Sequence, residues 1–181
     1  MPLLINKDNL FNENMIKDYV MVEYENYEEK TLYIEEETYR YFEMLKMHLK
    51  IDNIIIDIED AYRSLEKQEN IFLYSMKEYG LDKTEELVSM PGTTEHHTGE
   101  AINFAIYLDD KWLTKEKVEQ NSKIINKIHN DLKHFGFILR YPKGKEKITK
   151  KEYKPWHIRY IGVEDALKIG NLTLEEYLKK N

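Results

Sequence analysis

Apolar positions along the chain follow two rhythms, one of about four residues and one of two, and they exchange often. Ile34, Thr38, Phe42, Leu45 and Leu49 recur at helical spacing and predict a helix over 34–50 with one buried face. Ile54-Ile55-Ile56-Asp57-Ile58 is β-branched and apolar, the pattern of a buried strand. Ser64 is a good N-cap for a helix over 65–79, and Gly80 a good stop. A short helix is predicted over 82–89, followed by a turn at Met90-Pro91-Gly92. From Glu100 to Tyr107 the chain alternates: Ile102, Phe104 and Ile106 face one way, Ala101, Asn103 and Ala105 the other. Such a strand packs a core behind and lines a cleft in front, with one amide on the cleft side. Ile124, Ile125, Ile128, Leu132 and Phe135 predict a helix over 121–135, stopped by Gly136. Strands are expected over 137–141 and 153–160, with a basic hairpin or loop bent at Gly144 between them. A last helix over about 163–180 breaks near Gly170, and 3–5 and 19–22 are candidate short strands. This order of elements predicts an α+β fold, a mainly antiparallel sheet flanked by helices.

With 181 residues, no internal repeat and no low-complexity linker, the chain reads as a single domain, 1–181. Cysteine is absent, so any zinc must be held by His, Asp or Glu. A net charge of -7 argues against nucleic acid as a partner. The run 143–154 is nevertheless locally basic. It reads as a solvated loop or as a contact for an anionic polymer. No apolar run approaches the ~20 residues of a membrane-spanning helix. The opening Met1-Pro2-Leu3-Leu4-Ile5-Asn6-Lys7-Asp8 lacks the pattern of a secretory signal; as written the expected location is cytoplasmic, with release by lysis or an export segment outside this sequence as the alternatives.

Candidate chemistry sits in three places. Thr94-Glu95-His96-His97-Thr98-Gly99-Glu100-Ala101-Ile102-Asn103 leads into the alternating strand, and Lys154-Pro155-Trp156-His157 leads into a later one. The third is Ala61-Tyr62-Arg63-Ser64 with Gln68 four residues on. An arginine beside a helix N-cap, read alone, is a surface residue; beside the two histidine motifs it becomes a candidate for substrate contact. His97 reads as a surface residue facing away from His96. Arg140 and Arg159 are open to two readings, substrate carboxylates or ion pairs.

Together these motifs resemble the D-alanyl-D-alanine carboxypeptidases of the VanY type (peptidase family M15, subfamily B). There the first motif reads Ser-x-His-x-x-Gly-x-Ala-x-Asp and the second Glu-x-Trp-His. The resemblance runs from Leu3 to the closing Leu172-Thr173-Leu174-Glu175-Glu176-Tyr177-Leu178. It implies a VanY/hedgehog-like zinc peptidase fold and removal of terminal D-alanine from peptidoglycan stem peptides at the cell wall. It also implies His96, His157 and Asn103 at the metal-ligand positions and Lys154 at the catalytic glutamate position. Arg63 would stabilise the oxyanion or anchor substrate, and Gln68 and Thr94 would contact the peptide.

Two departures matter. Asn103 offers an oxygen without charge, and Lys154 is a cation that cannot accept a proton at its ordinary pKa of about 10.4. Relative to the family pattern the site gains one unit of positive charge at Asn103 and two at Lys154. Zinc binding is therefore expected to be weak or absent. The Lys154 ammonium is expected to approach the vacated metal position and donate to Asn103 and to His96 or His157. Glu152 is the best candidate for a rescuing carboxylate. Three functions follow: a catalytically impaired relative that keeps a cleft for wall-type peptides, a working zinc D,D-carboxypeptidase with an atypical site, or a non-catalytic domain that binds a protein partner.

Overall fold

The computed structural model describes residues 2–180. Strands β1 (Met21–Glu25) and β2 (Thr31–Glu35) form an antiparallel hairpin. Helix α1 (Glu36–Ile51) follows directly and buries Thr38, Phe42, Leu45 and Leu49, the predicted face. Ile34 belongs to β2 and is fully buried there. Strand β3 (Ile55–Asp60) leads to α2 (Leu65–Tyr79), whose N-cap Ser64 accepts a hydrogen bond from the Lys67 N–H at 3.0 Å. Gly80, at φ +78°, separates α2 from the short α3 (Leu81–Leu87).

The main sheet is antiparallel with five strands. Strand β4 (Ala101–Leu108) is its centre, flanked by β3 on one side and β7 (His157–Tyr160) on the other. The short β5 (Lys111–Leu113) also pairs with β4, and β6 (Phe137–Leu139) pairs with β7 at the edge. Ile102, Phe104 and Ile106 enter one core with Phe42, Leu45, Leu49, Ile58 and Ile128. Helices α4 (Glu116–Glu119) and α5 (Ser122–Asp131) pack there too, the latter ending in a 3-10 turn, Leu132–Phe135, before Gly136. A smaller core joins Ile138 and Ile161 to α7 (Val163–Lys168) and α8 (Leu174–Lys180).

Three expectations are corrected. Residues 3–5 form no strand, and the first strand begins at Met21. The basic loop holds a helical turn, α6 (Glu146–Thr149), ended by Lys150 in the left-handed region. The expected strand over 153–160 begins only at His157. Pro155 has no N–H to give a ladder, which suits an irregular approach to the strand. No helix among the described residues is long and apolar enough to cross a membrane.

Candidate functional site

Four local structures converge on one cleft of about 300 Å³. The first is a 3-10 turn, Glu95–Thr98, that carries His96. Thr94 caps it, its hydroxyl accepting from the His96 N–H at 3.3 Å. Gly99 ends it at φ +75°, and a Cβ there would meet the Met21 side chain at 2.9 Å and the Glu35 nitrogen at 3.0 Å. Only glycine lets the turn pass this close to the hairpin.

The second and third are the paired strands β4 and β7, in which Asn103 stands directly opposite His157. Their side chains meet, with His157 Nδ1 2.8 Å from Asn103 Oδ1. The amide oxygen only accepts, so Nδ1 carries the proton and Nε2 the lone pair. That Nε2 is buried and has no hydrogen-bond partner among the described residues. His96 Nδ1 lies 2.5 Å from the Ala61 carbonyl, which places its proton there too and leaves Nε2 as the acceptor. The two imidazoles face each other edge to face at 5.0 Å, and Tyr141 packs on His157 at 4.9 Å.

The fourth is the segment between β3 and α2. Arg63 donates through Nε to Asp60 at 2.6 Å and through a terminal nitrogen to Gln68 Oε1 at 3.0 Å. Gln68 is fully buried and donates to the Ser89 carbonyl at 2.6 Å. It stands behind Arg63 rather than on the cleft wall, where Arg63 and Thr94 lie.

The electrostatics are those of a cationic pocket. Arg63, Lys115, Lys151 and Lys154 line it, against the carboxylates of Glu116 and Glu152. Burial first, then the Arg63 guanidinium, holds His96 well below its ordinary pKa. Burial, then His96 and Lys154, does the same to His157. Both rings are neutral near pH 7. Lys154 is itself pushed down by burial and then by Arg63, with Glu152 opposing.

The expected bond from Lys154 to Asn103 is absent. The Asn103 oxygen is taken by His157, and the Lys154 ammonium makes no hydrogen bond among the described residues; it lies 6.0 Å from the Tyr141 ring centre. Glu152 lines the same cleft. Catalytic zinc takes three protein ligands drawn from His nitrogen, Cys sulfur and Asp or Glu oxygen, with water in the fourth position. Two imidazoles are here, but the amide oxygen is held by one of them and brings no charge. Among the described residues no group of three or more His, Cys, Asp or Glu is placed to hold a metal. The donor set falls one charged ligand short of the pattern that the resemblance implies.

His97 is not a surface residue. It is fully buried, its Nδ1 lies 2.7 Å from the Arg63 carbonyl, and its Nε2 accepts from the Gly92 N–H at 3.0 Å. It thereby clamps the Arg63 backbone to the His96 turn. Arg140 and Arg159 are likewise buried. Arg140 donates to Glu95 at 2.8 Å and in bidentate fashion to Glu175 at 2.6 and 3.0 Å. Arg159 pairs with Glu100 and donates to the Thr98 hydroxyl at 3.2 Å. Lys115 and Tyr141 are cleft residues that no motif marked; Lys151 belonged to the basic run, which was the available signal.

A family model described as VanY, D-alanyl-D-alanine carboxypeptidase, matches residues 31–163. The chain is 30% identical over 178 residues to the bifunctional D-Ala-D-Ala dipeptidase and D-Ala-D-Ala carboxypeptidase VanXYC of Enterococcus gallinarum, covering 96% of this chain and 91% of that one. It is similar to a solved vancomycin-resistance D,D-pentapeptidase, a VanY mutant in complex with Zn(II). The TM-score is 0.78 at 29% identity, with 97% of each chain covered. It is also similar to VanYB in complex with D-alanine-D-alanine, with a TM-score of 0.79 at 28% identity over 99% of this chain and 97% of that one.

Proposed function

Because the chain belongs to the VanY family of D-alanyl-D-alanine carboxypeptidases, we propose that it binds peptides of the peptidoglycan-stem type by their terminal carboxylate, with hydrolysis impaired or lost. One observation carries this reading: four cationic side chains, Arg63, Lys115, Lys151 and Lys154, surround two neutral imidazoles in the cleft. A pocket so charged repels a dication and attracts a carboxylate. Arg63 is the anchor in this reading. Asp60 and Gln68 fix its plane while N–H groups remain for a ligand, the fork geometry that suits a carboxylate. Thr94 would contact the peptide from the cleft wall, and Gln68 would act through Arg63. Lys154 would add charge and take no part as a base.

The test is calorimetric binding of an N-acylated D-Ala-D-Ala peptide in the presence of chelator. Binding is expected, with loss on Arg63→Ala and loss when the peptide carboxylate is amidated. Absence of binding with or without zinc would favour a non-catalytic domain for a protein partner.

A second reading, a zinc D,D-carboxypeptidase with an atypical site, is favoured by the two neutral imidazoles and by the Zn(II) complex of the similar VanY. It requires release of D-alanine that stops with chelator and returns with zinc.

A further inference from the structure

We infer that a lysine-walled chamber beside the cleft is a binding site for a phosphate-bearing chain. The chamber, about 630 Å³, lies between the 4–9 segment, the turn of α6 with the two residues after it, and the end of α8. Lys7, Lys147, Lys150, Lys151 and Lys179 line it. Asp8 and Glu175 are its carboxylates, and Glu175 is committed to Arg140. Lys7 reaches Glu85 only at 3.8 Å. Lys147, Lys150, Lys151 and Lys179 form no ion pair among the described residues.

This positive charge is concentrated on a protein whose net charge is -7. Burial, then Lys154 of the cleft and Lys7 of the chamber, brings the Lys151 pKa down to about 8. Like charges held together with Asp8 as the one uncommitted carboxylate of the lining are relieved by a multiply charged anion. The donor chemistry selects among anions. A planar carboxylate is best met by the guanidinium fork, and the chamber's one guanidinium, Arg140, is occupied by Glu95 and Glu175. Lysine binds as a point charge and suits phosphate oxygens. Three walls suit an extended soluble chain better than the plane of a bilayer. Tyr141 and Lys151 line both chamber and cleft, so a chain seated here would run toward the cleft mouth. The chamber's ligand does not depend on what the cleft itself binds.

The probe is fluorescein-labelled inorganic polyphosphate, followed by anisotropy with the full chain at low salt. Binding is expected, weakening steeply as salt rises. The triple reversal Lys147→Glu, Lys150→Glu, Lys179→Glu should weaken it about tenfold or more. The neutral triple Lys147→Gln, Lys150→Gln, Lys179→Gln should fall between. Matched melting temperatures certify that the variants fold. No binding at low salt would overturn the proposal. So would an equal loss from reversing Lys17, Lys111 and Lys123, three exposed lysines outside the chamber. Capture by phosphatidylglycerol vesicles but not by polyphosphate would overturn the soluble chain and assign a lipid headgroup instead.

Discussion

Asn103 and His157 stand opposite each other on adjacent strands and close a hydrogen bond of 2.8 Å between Oδ1 and Nδ1. The bond fixes the imidazole tautomer and occupies the oxygen that the family resemblance places on a metal. Restoring charge should undo this. A unit charge 4 Å away is worth roughly 4 kcal/mol at an effective dielectric of 20, and about twice that against a dication. The pair Asn103→Asp with Lys154→Glu is therefore expected to raise zinc affinity by about a hundredfold or more, read by competition with a chromophoric chelator. Asn103→Asp alone should recover part of it, since Lys154 remains. Unchanged affinity in the double variant would mean that the histidines are misplaced for metal.

Behind the cleft, Arg140 is shared by Glu95, the residue before His96, and Glu175 of α8. All three side chains are buried, so removing Arg140 strands two carboxylates in the interior. Arg140→Met is therefore expected to lose about 3–5 kcal/mol in urea denaturation. Replacing the whole group together, Glu95→Leu, Arg140→Met and Glu175→Leu, should recover most of that loss, since Arg159 keeps Glu100.

Local signals were legible wherever one element carried its own punctuation. The Ser64 cap, the Gly80 stop and the core face of Ile102, Phe104 and Ile106 all follow from neighbours in sequence. The cleft residues Arg63, Thr94, His96, Asn103, Lys154 and His157 are legible through the resemblance of their motifs to the family's, and the fold brings them to one cleft. What failed was long-range. The partners of Arg140 lie 45 and 35 residues away, and nothing near it in the chain announces burial. His97 reads as exposed in the sequence because its partners, Arg63 and Gly92, meet it only through the fold. Lys154 was expected to reach for the amide, yet the direct β4–β7 pairing gives that oxygen to His157 first.

Ser64 caps the helix that begins just after Arg63, so its loss should be felt at both. Ser64→Ala is expected to cost about 1 kcal/mol of stability, and Ser64→Asp little. If the cap also steadies Arg63, Ser64→Ala should weaken peptide binding several-fold beyond what lost stability explains. Equal affinity for the two variants would confine the cap to the helix.

Acid should destabilise the protein through its buried histidines. His96, His97, His129 and His157 all have pKa values lowered chiefly by burial, and His129 lies 2.8 Å from the Pro155 carbonyl. The unfolded chain takes up these protons near pH 6.5, the folded chain only at lower pH. Between those limits the unfolded state binds more protons, so stability is full above about pH 6.5 and falls as pH drops through the window. Each differential proton contributes about 1.4 kcal/mol per pH unit. Glu100 works the other way: burial raises its pKa, so its own contribution falls as pH rises through the carboxylate range and softens the acid limb. Urea denaturation between about pH 7.5 and 5 should thus show a slope of more than one proton. His129→Gln removes one titrating ring outside the cleft and should reduce that slope by up to one proton. A flat profile over this range would mean that the rings are solvated enough to protonate in place.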